Sequence, residues 1–252
     1  MFLASERRIV LLVLLFLLPI TGGLAAYTAL EISENSKLSP SNSGYSQPKY
    51  VGGLVENLQE ALVTIECQGA DGSGFSFELD KPDLENGYRF AENPSNTGIT
   101  RIITNAHVVQ GCLGDKKVNF VSADGKQESA SIEVVDSRND LALLSTKKYI
   151  EGISGVYWKP FPGYWVAALG SPHSFAGSVT FGNIINFDKN SIFHTASLSP
   201  GSSGGPLVDN EGYLYGVNTG ATPIGQNFNI SVSLNAFCDA IVICPDGSYW
   251  EE

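Results

Sequence analysis

Short β-prone runs separated by turn signals fill the middle of this 252-residue chain and constrain its fold more than any other feature. Each run is rich in apolar, β-branched or aromatic residues and is too short for an ordinary helix. Asp124-Gly125 and Asn210-Glu211-Gly212 lie between runs and favour hairpin turns. The predicted strands are 62–65, 74–77, 101–104, 117–121, 131–135, 165–169, 182–185, 207–208, 213–217 and 228–232. This pattern predicts an all-β barrel or sandwich. Within the folded domain, only the C-terminal end favours a helix, Leu234–Ile241, with Ser233 as its cap.

The first thirty residues differ from the rest, because Glu6-Arg7-Arg8 precedes an uncharged apolar run from Ile9 to Leu30. Small residues at Gly22–Ala26 suit signal-peptide cleavage. The run also meets the length of about 20 residues that a membrane-spanning helix needs. The two arginines hold the N-terminal side in the cytoplasm. Residues 1–30 are therefore predicted to be a signal peptide or a signal-anchor transmembrane helix.

Either reading places the remainder of the chain outside the cytoplasm, as an anchored or a secreted protein. Residues 31–49 are rich in Ser, Asn and Pro, with little to bury, and predict a flexible linker. Residues 50–252 are expected to form the folded domain. Within it, Lys81–Gly98 is polar and predicts a long surface loop.

Charge and cysteine content exclude several functions. The net charge of −11 argues against a nucleic-acid partner, because phosphate binding needs a basic surface. Contact with a membrane is expected only through the N-terminal helix. Four cysteines in an exported chain predict two disulfides, with three possible connectivities. There is no C-x-x-C pair and no phosphate-binding glycine loop, so neither a metal nor another cofactor is expected.

Three segments carry chemistry when they are taken together. The hexapeptide Gly201–Pro206 places a serine among glycines, which alone could be an ordinary turn. His107 in the segment 104–109 and Asp140 before the apolar run 141–144 are each, alone, compatible with structural roles. In the order His, Asp, Ser, however, they match a general base, the group that orients it and a nucleophile.

These segments resemble the trypsin-like serine peptidases, and most of all their HtrA (Deg) branch. The residues that carry the resemblance are TNAHVV at 104–109, DLALL at 140–144 and PGSSGGPL at 200–207. Supporting similarity lies at GSGF 72–75, WVAALGSP 165–172 and 212–220, so it extends from about Leu54 to Ile241. The family implies a chymotrypsin-like fold of two antiparallel β-barrels, about 50–155 and 156–245. Because few residues follow Ile243, the PDZ domain of that branch is not expected here.

The resemblance also implies roles for individual residues. His107, Asp140 and Ser203 would form a catalytic triad, and the backbone N–H groups of Gly201 and Ser203 an oxyanion hole. Thr219, Gly220 and Ala221 resemble the strand edge that binds a peptide substrate. Ser197 stands at the base of the primary pocket; because it is uncharged, small or medium apolar side chains are expected there. The implied disulfides are Cys67–Cys112 and Cys238–Cys244.

Other readings remain open at this stage. The main alternative to a serine endopeptidase is a catalytically silent binding module of the same fold. An esterase is disfavoured, because α/β-hydrolases place the histidine last. Activation by a freed N-terminus at Lys49–Gly53 is rejected, since Ser202 replaces the aspartate that the ammonium would need. His173 and His194 are interpreted as structural.

Overall fold

Two closed antiparallel barrels make up most of the described chain, as the family resemblance implies, and each has six strands. The computed structural model describes residues 40–78, 98–154, 159–172, 175–221 and 228–241. Barrel one has the order β1-β4-β5-β6-β3-β2 and closes through β1–β2. Its strands are β1 (Leu62–Cys67), β2 (Ala70–Glu78), β3 (Thr100–Thr104), β4 (Lys117–Ser122), β5 (Gln127–Asp136) and β6 (Leu141–Thr146). The short β7 (Ile153–Ser154) pairs in parallel with β2.

Barrel two follows with the closed order β10-β13-β12-β11-β8-β9. Its strands are β8 (Trp165–Gly170), β9 (Ser178–Phe187), β10 (Ser191–His194), β11 (Pro206–Val208), β12 (Leu214–Ala221) and β13 (Asn229–Ser233). Strand β10 was not among the predicted runs, because the polar residues at both of its ends shorten the apolar signal.

Strand β6 explains why one run of the sequence is apolar without alternation. Leu141 and Leu143 belong to a cluster that includes β8, β11 and β12 of barrel two, whereas Ala142 and Leu144 belong to the cluster inside barrel one. Successive side chains of a strand point to opposite faces. Both faces of β6 are therefore buried, one by each cluster, and the run Leu141–Leu144 has no solvent face.

Three α-helices accompany the barrels in the described residues: α1 (Val51–Ala61), α2 (Ala106–Val109) and α3 (Leu234–Ala240). The cap of α3 is as predicted, since Ser233 Oγ accepts a hydrogen bond from Ala236 N at 3.2 Å. The expectation that only the end is helical was wrong. Helix α1 buries Leu58 and Ala61, but Gly52-Gly53 in its first turn conceals the helical pattern.

The structure joins Cys67 and Cys112 by a disulfide with a Cα–Cα distance of 5.8 Å. This bond connects the end of β1 to the 3₁₀ turn Gln110–Cys112 that follows α2. Cys238 is buried in α3, and its predicted partner Cys244 lies outside the described residues. The disulfide thus stabilises the segment of barrel one that carries His107.

Several predicted features fall on residues that are not described. They are the N-terminal apolar helix, His173 and nearly all of the loop 81–98. Among the described helices, none has the length and hydropathy to cross a membrane. The described end of the predicted linker forms a 3₁₀ turn, Asn42–Tyr45, whose Ser43 carbonyl accepts from Asn210 Nδ2 at 2.7 Å.

Candidate active site

His107 and Asp140 form a hydrogen-bonded pair at the edge of barrel one. Strand β3 ends at Thr104, and the chain turns into α2, so His107 lies in a helical turn and not at a strand end. Its Nδ1 lies 2.8 Å from Asp140 Oδ2, and its backbone N donates to Asp140 Oδ1 at 3.0 Å. Because a carboxylate only accepts, Nδ1 carries the proton and Nε2 keeps its lone pair. The side chain is 48% exposed, so the imidazole is not enclosed by barrel one.

Asp140 has a strained backbone and is held from two sides. Its φ is +54°, in the left-handed region that aspartate and asparagine tolerate better than most residues. The buried Asn105 Nδ2 donates to its carbonyl oxygen at 2.8 Å. Thr219 Oγ1, from barrel two, donates to its Oδ2 at 2.6 Å. The carboxylate therefore faces His107 in one fixed orientation.

These contacts shift both pKa values in the directions that favour an ion pair. The hydrogen bond to Asp140 raises the pKa of His107 above its usual 6.5, and this outweighs the opposite effect of burial. For Asp140, burial alone would raise the pKa, but hydrogen bonds from His107 and Thr219 lower it below 3.8. Asp140 is thus ionised at neutral pH and stabilises a protonated imidazole.

Ser203 lies in a loop whose backbone N–H groups fall into two sets. Those of Ser202, Gly204 and Gly205 donate to the carbonyl oxygens of Ser199, Asn218 and Ser202. Within the described part of the chain, the N–H groups of Gly201 and Ser203 have no acceptor. A loop that leaves alternate amides unpaired can bind an anionic oxygen there. The two unpaired amides are those that the sequence assigned to an oxyanion hole.

Thr219 connects Ser203 to the histidine pair. Ser203 Oγ donates to the Thr219 carbonyl at 3.1 Å, while the Thr219 hydroxyl contacts Asp140. The serine proton therefore points to Thr219 and not to His107 in this conformation. Hydrogen bonds of a nucleophile often tighten only when substrate binds. The sequence analysis assigned Thr219 to substrate binding alone and missed its contact with Asp140. The two residues are 79 positions apart, so no local sequence pattern predicts this contact.

The other predicted binding residues lie beside this loop. Ser197 is exposed, and its carbonyl accepts from Thr180 Oγ1 at 2.8 Å. Gly220 follows a bulge in the pairing of β12 with β13, and a Cβ placed on it would meet no heavy atom of a described residue within 4 Å. Ala221 ends β12 opposite Asn229, whose Oδ1 accepts from Leu198 N at 3.2 Å. Residues 222–227 are outside the described ranges.

His194 lies away from solvent in a polar chain inside barrel two. Its Nε2 is 3.0 Å from Ser231 Oγ, and that hydroxyl donates to Asn218 Oδ1 at 2.9 Å. Because the hydroxyl proton is used on Asn218, Nε2 is the donor to Ser231. Burial lowers the pKa of His194 to about 4. Asn218 in turn donates from its backbone N to Gly205 O. This series of polar contacts therefore ends at the loop 201–206, which is called the nucleophile loop below after the role that the sequence predicts for Ser203.

One cavity of about 460 Å³ lies apart from these residues, between α1 and the turn before β12. Glu60, Glu151 and Glu211 are among the residues that line it. Among the described residues, no group of three or more His, Cys, Asp or Glu side chains is placed to hold a metal ion.

Known proteins match both the sequence and the fold. A profile described as the trypsin-like peptidase domain matches residues 89–217. The serine protease HTRA1 of Xenopus laevis is 33% identical over 207 residues, which cover 72% of this chain and 40% of that protein. The mitochondrial serine protease HTRA2 of Drosophila virilis is 29% identical over 243 residues, which cover 87% of this chain and 55% of that protein. The chain thus spans about half the length of the curated relatives it matches.

Solved structures support the fold. The serine endoprotease from Yersinia pestis has a TM-score of 0.59 at 22% identity, with 80% of this chain and 65% of that chain covered. An inactive form of the Rv3671c protease has a TM-score of 0.62 at 20% identity, with 78% of this chain and 96% of that chain covered.

Proposed function

Because this chain belongs to the trypsin-like peptidase family, we propose that it is a serine endopeptidase whose catalytic triad is His107, Asp140 and Ser203. One observation carries the proposal. The His107 imidazole is partly exposed and donates from Nδ1 to a fixed carboxylate, which leaves Nε2 basic, and Thr219 contacts both that carboxylate and Ser203. This is the tautomer that a general base needs if it is to take a proton from a serine hydroxyl.

The proposed reaction proceeds through an acyl-enzyme. Ser203 Oγ turns from the Thr219 carbonyl and attacks the scissile carbonyl carbon, while His107 Nε2 takes the hydroxyl proton. Asp140 stabilises the imidazolium, which then protonates the leaving amine. Water, activated by the same imidazole, releases the acyl group. The pKa of His107 is raised, so activity is expected to rise with pH through a value above 6.5.

The unpaired N–H groups of Gly201 and Ser203 are proposed to stabilise the oxyanion of the tetrahedral intermediate. Loss of one such donor typically reduces kcat by about 10²–10³-fold. The substrate strand is proposed to pair with Thr219, Gly220 and Ala221, because no described residue comes within 4 Å of a Cβ placed on Gly220. For the primary pocket we propose uncharged side chains, since Ser197 brings no charge to its base.

We also propose that the peptidase works outside the cytoplasm, either anchored by residues 9–30 or secreted after their removal. The Cys67–Cys112 disulfide supports this, because structural disulfides persist in oxidising compartments. Digestion of intact cells with an added protease tests the location: an exported domain is degraded from outside. N-terminal sequencing of the mature protein separates the anchored form from the secreted one.

A fluorophosphonate probe on the full-length chain tests the activity. The wild type is expected to label, and both Ser203→Ala and His107→Ala are expected to lose the label. Mass spectrometry of the adduct serves as an internal control, because Ser202 is adjacent and must remain unmodified. A folded wild type that does not label would instead point to the silent binding module. Unlabelled wild type is then given a peptide library, in which cleavage after acidic or basic residues would contradict the proposed pocket.

A further inference from the structure

Ser73 of β2 is a buried residue that joins the two halves of the proposed active site. Its side chain has no solvent exposure. Its hydroxyl donates to the Gly201 carbonyl at 2.7 Å and accepts from the backbone N of Ser171 at 2.8 Å. Its backbone N donates to the Ser203 carbonyl at 2.8 Å, and its own carbonyl accepts from Thr104 Oγ1 at 2.6 Å. Ser73 thus contacts the nucleophile loop, barrel two and the strand that leads to His107.

The direction of the hydroxyl bond is fixed by chemistry. A serine hydroxyl has one proton, and the Ser171 N–H can only donate. It therefore occupies a lone pair of the Ser73 oxygen and leaves the proton for the Gly201 carbonyl. The surroundings are tight as well, since a Cβ on Gly170 would lie 2.7 Å from Ser202 Cα and 3.1 Å from Ser73 Oγ. The hydroxyl consequently has one orientation, which points at Gly201.

The hydrogen bond from Ser73 matters for Gly201, because a glycine backbone can adopt several other conformations. Its φ is +96°, a conformation that glycine adopts freely but leaves just as freely. The peptide between Gly201 and Ser202 is held at one end by Ser202 N, which donates to Ser199 O. The Ser73 hydroxyl holds its other end, the Gly201 carbonyl. With both ends fixed, the peptides on either side present the free N–H groups of Gly201 and Ser203.

We propose that Ser73 is a positioning residue for catalysis, whose hydroxyl keeps the nucleophile loop in the conformation that forms the oxyanion hole. This inference rests on the proposed peptidase function. Ser73 does not touch the substrate and acts through the Gly201 peptide. Its effect is therefore expected on the step that develops an oxyanion, not on substrate binding.

The chain offers a matched control on the same strand. Ser76 is also fully buried, and its hydroxyl donates to the Ile150 carbonyl at 3.0 Å, outside the site. Ser73→Ala and Ser76→Ala each remove one buried hydroxyl from β2 and leave its backbone hydrogen bonds in place. Both variants are expected to lower the Tm, because each leaves a buried polar group unpaired. Only Ser73→Ala should affect the chemistry.

The experiment measures kcat, KM, the rate of fluorophosphonate labelling and the Tm of the full-length wild type and both variants. For Ser73→Ala we expect kcat and the labelling rate to fall by about 10–100-fold, less than the full loss of a donor, with KM within about two-fold. The pH midpoint of kcat/KM should not move, since the His107–Asp140 pair is untouched. For Ser76→Ala, kcat should stay within about two-fold of the wild type.

Equal losses of kcat in the two variants, or a rise of KM alone in Ser73→Ala, would overturn the role of Ser73. Should Ser73→Ala fail to fold, Ser73→Cys gives the test, because a thiol fills the site but donates weakly. A thiol variant with full kcat would equally overturn the proposal, and a reduced kcat at unchanged KM supports it. A wild type that does not label removes the peptidase function itself, an outcome distinct from a labelled wild type with an unaffected Ser73→Ala.

Discussion

The two barrels hold their share of the candidate site by different means. Barrel one has a buried cluster of aliphatic and aromatic side chains with one disulfide, and its two residues of the proposed triad, His107 and Asp140, are hydrogen-bonded to each other. Barrel two contains the polar chain from His194 to Asn218, and its nucleophile loop depends on contacts from both barrels. The Ser73 hydroxyl of barrel one holds the Gly201 carbonyl of that loop, and the Asn218 carbonyl of barrel two holds the N–H of Gly204.

This difference predicts which substitutions should disturb each half of the candidate site. The histidine pair should withstand changes in barrel two better than the loop 201–206 does, although Thr219 of barrel two donates a hydrogen bond to Asp140. The nucleophile loop, by contrast, responds to changes in either barrel, because its geometry is a sum of contacts across their interface. His107 is thus positioned mainly by contacts within barrel one, whereas the loop with Ser203 is positioned by contacts from both barrels.

The strongest way to break the barrel-one half is Asp140→Asn. Asparagine also tolerates a φ of +54°, so the fold and the Tm should be retained. The amide cannot stabilise the imidazolium or hold Nδ1–H as donor, and kcat is expected to fall by about 10⁴-fold. Steady-state kinetics between pH 6 and 9 measure this, with fluorophosphonate labelling as a second readout. A variant within about ten-fold of the wild type would show that Asp140 does not orient His107.

Removal of the disulfide sharpens the comparison at the level of stability. The bond closes a loop of sequence separation 45, and in the chain-entropy account such a cross-link contributes about 4 kcal/mol to the free energy of unfolding. Cys67→Ser with Cys112→Ser is expected to lower that free energy by roughly 2–4 kcal/mol in denaturant titrations. Hydrogen exchange should accelerate most in α2, next to Cys112, and least in the loop 201–206. Equal acceleration in both segments would contradict local fixation of the histidine.

The pH dependence of the free energy of unfolding tests the polar contacts of His194 in barrel two. The pKa of His194 is about 4 in the folded protein and about 6.5 in the unfolded chain, so the unfolded state binds more protons between these values. Stability should therefore decrease as the pH falls from 6.5 to 4, by roughly 3 kcal/mol from this residue. His194→Gln should lack this component, and the difference between the two proteins cancels the carboxylates that both contain. Parallel curves of unfolding free energy against pH would mean that His194 is protonated in the folded state.

Local sequence patterns predicted the all-β class and most of the strands, whereas the two-barrel fold and the candidate site were implied by the family resemblance. The run 141–144 and the turn at Asp124-Gly125 are local signals, and both appear in the structure as predicted. Helix α1 was missed because its two glycines outweigh the spacing of its apolar residues. The roles of Ser73 and Thr219 could not be predicted from pattern at all. Ser73 meets Gly201 across 128 positions of sequence, and Thr219 meets Asp140 across 79.

The shared strand β6 has a consequence for how such a molecule can be rebuilt. Its odd-numbered leucines face one cluster and its even-numbered residues face the other, so the two barrels are not interchangeable modules. In a chimera that takes barrel two from a relative, the incoming barrel would pack against Leu141 and Leu143, although its surface is complementary to the relative's own residues at these two positions. Compatible grafts would need to transfer Leu141 and Leu143, or their counterparts, together with the incoming barrel. Recombination within this fold is thus constrained by alternate positions of a single strand.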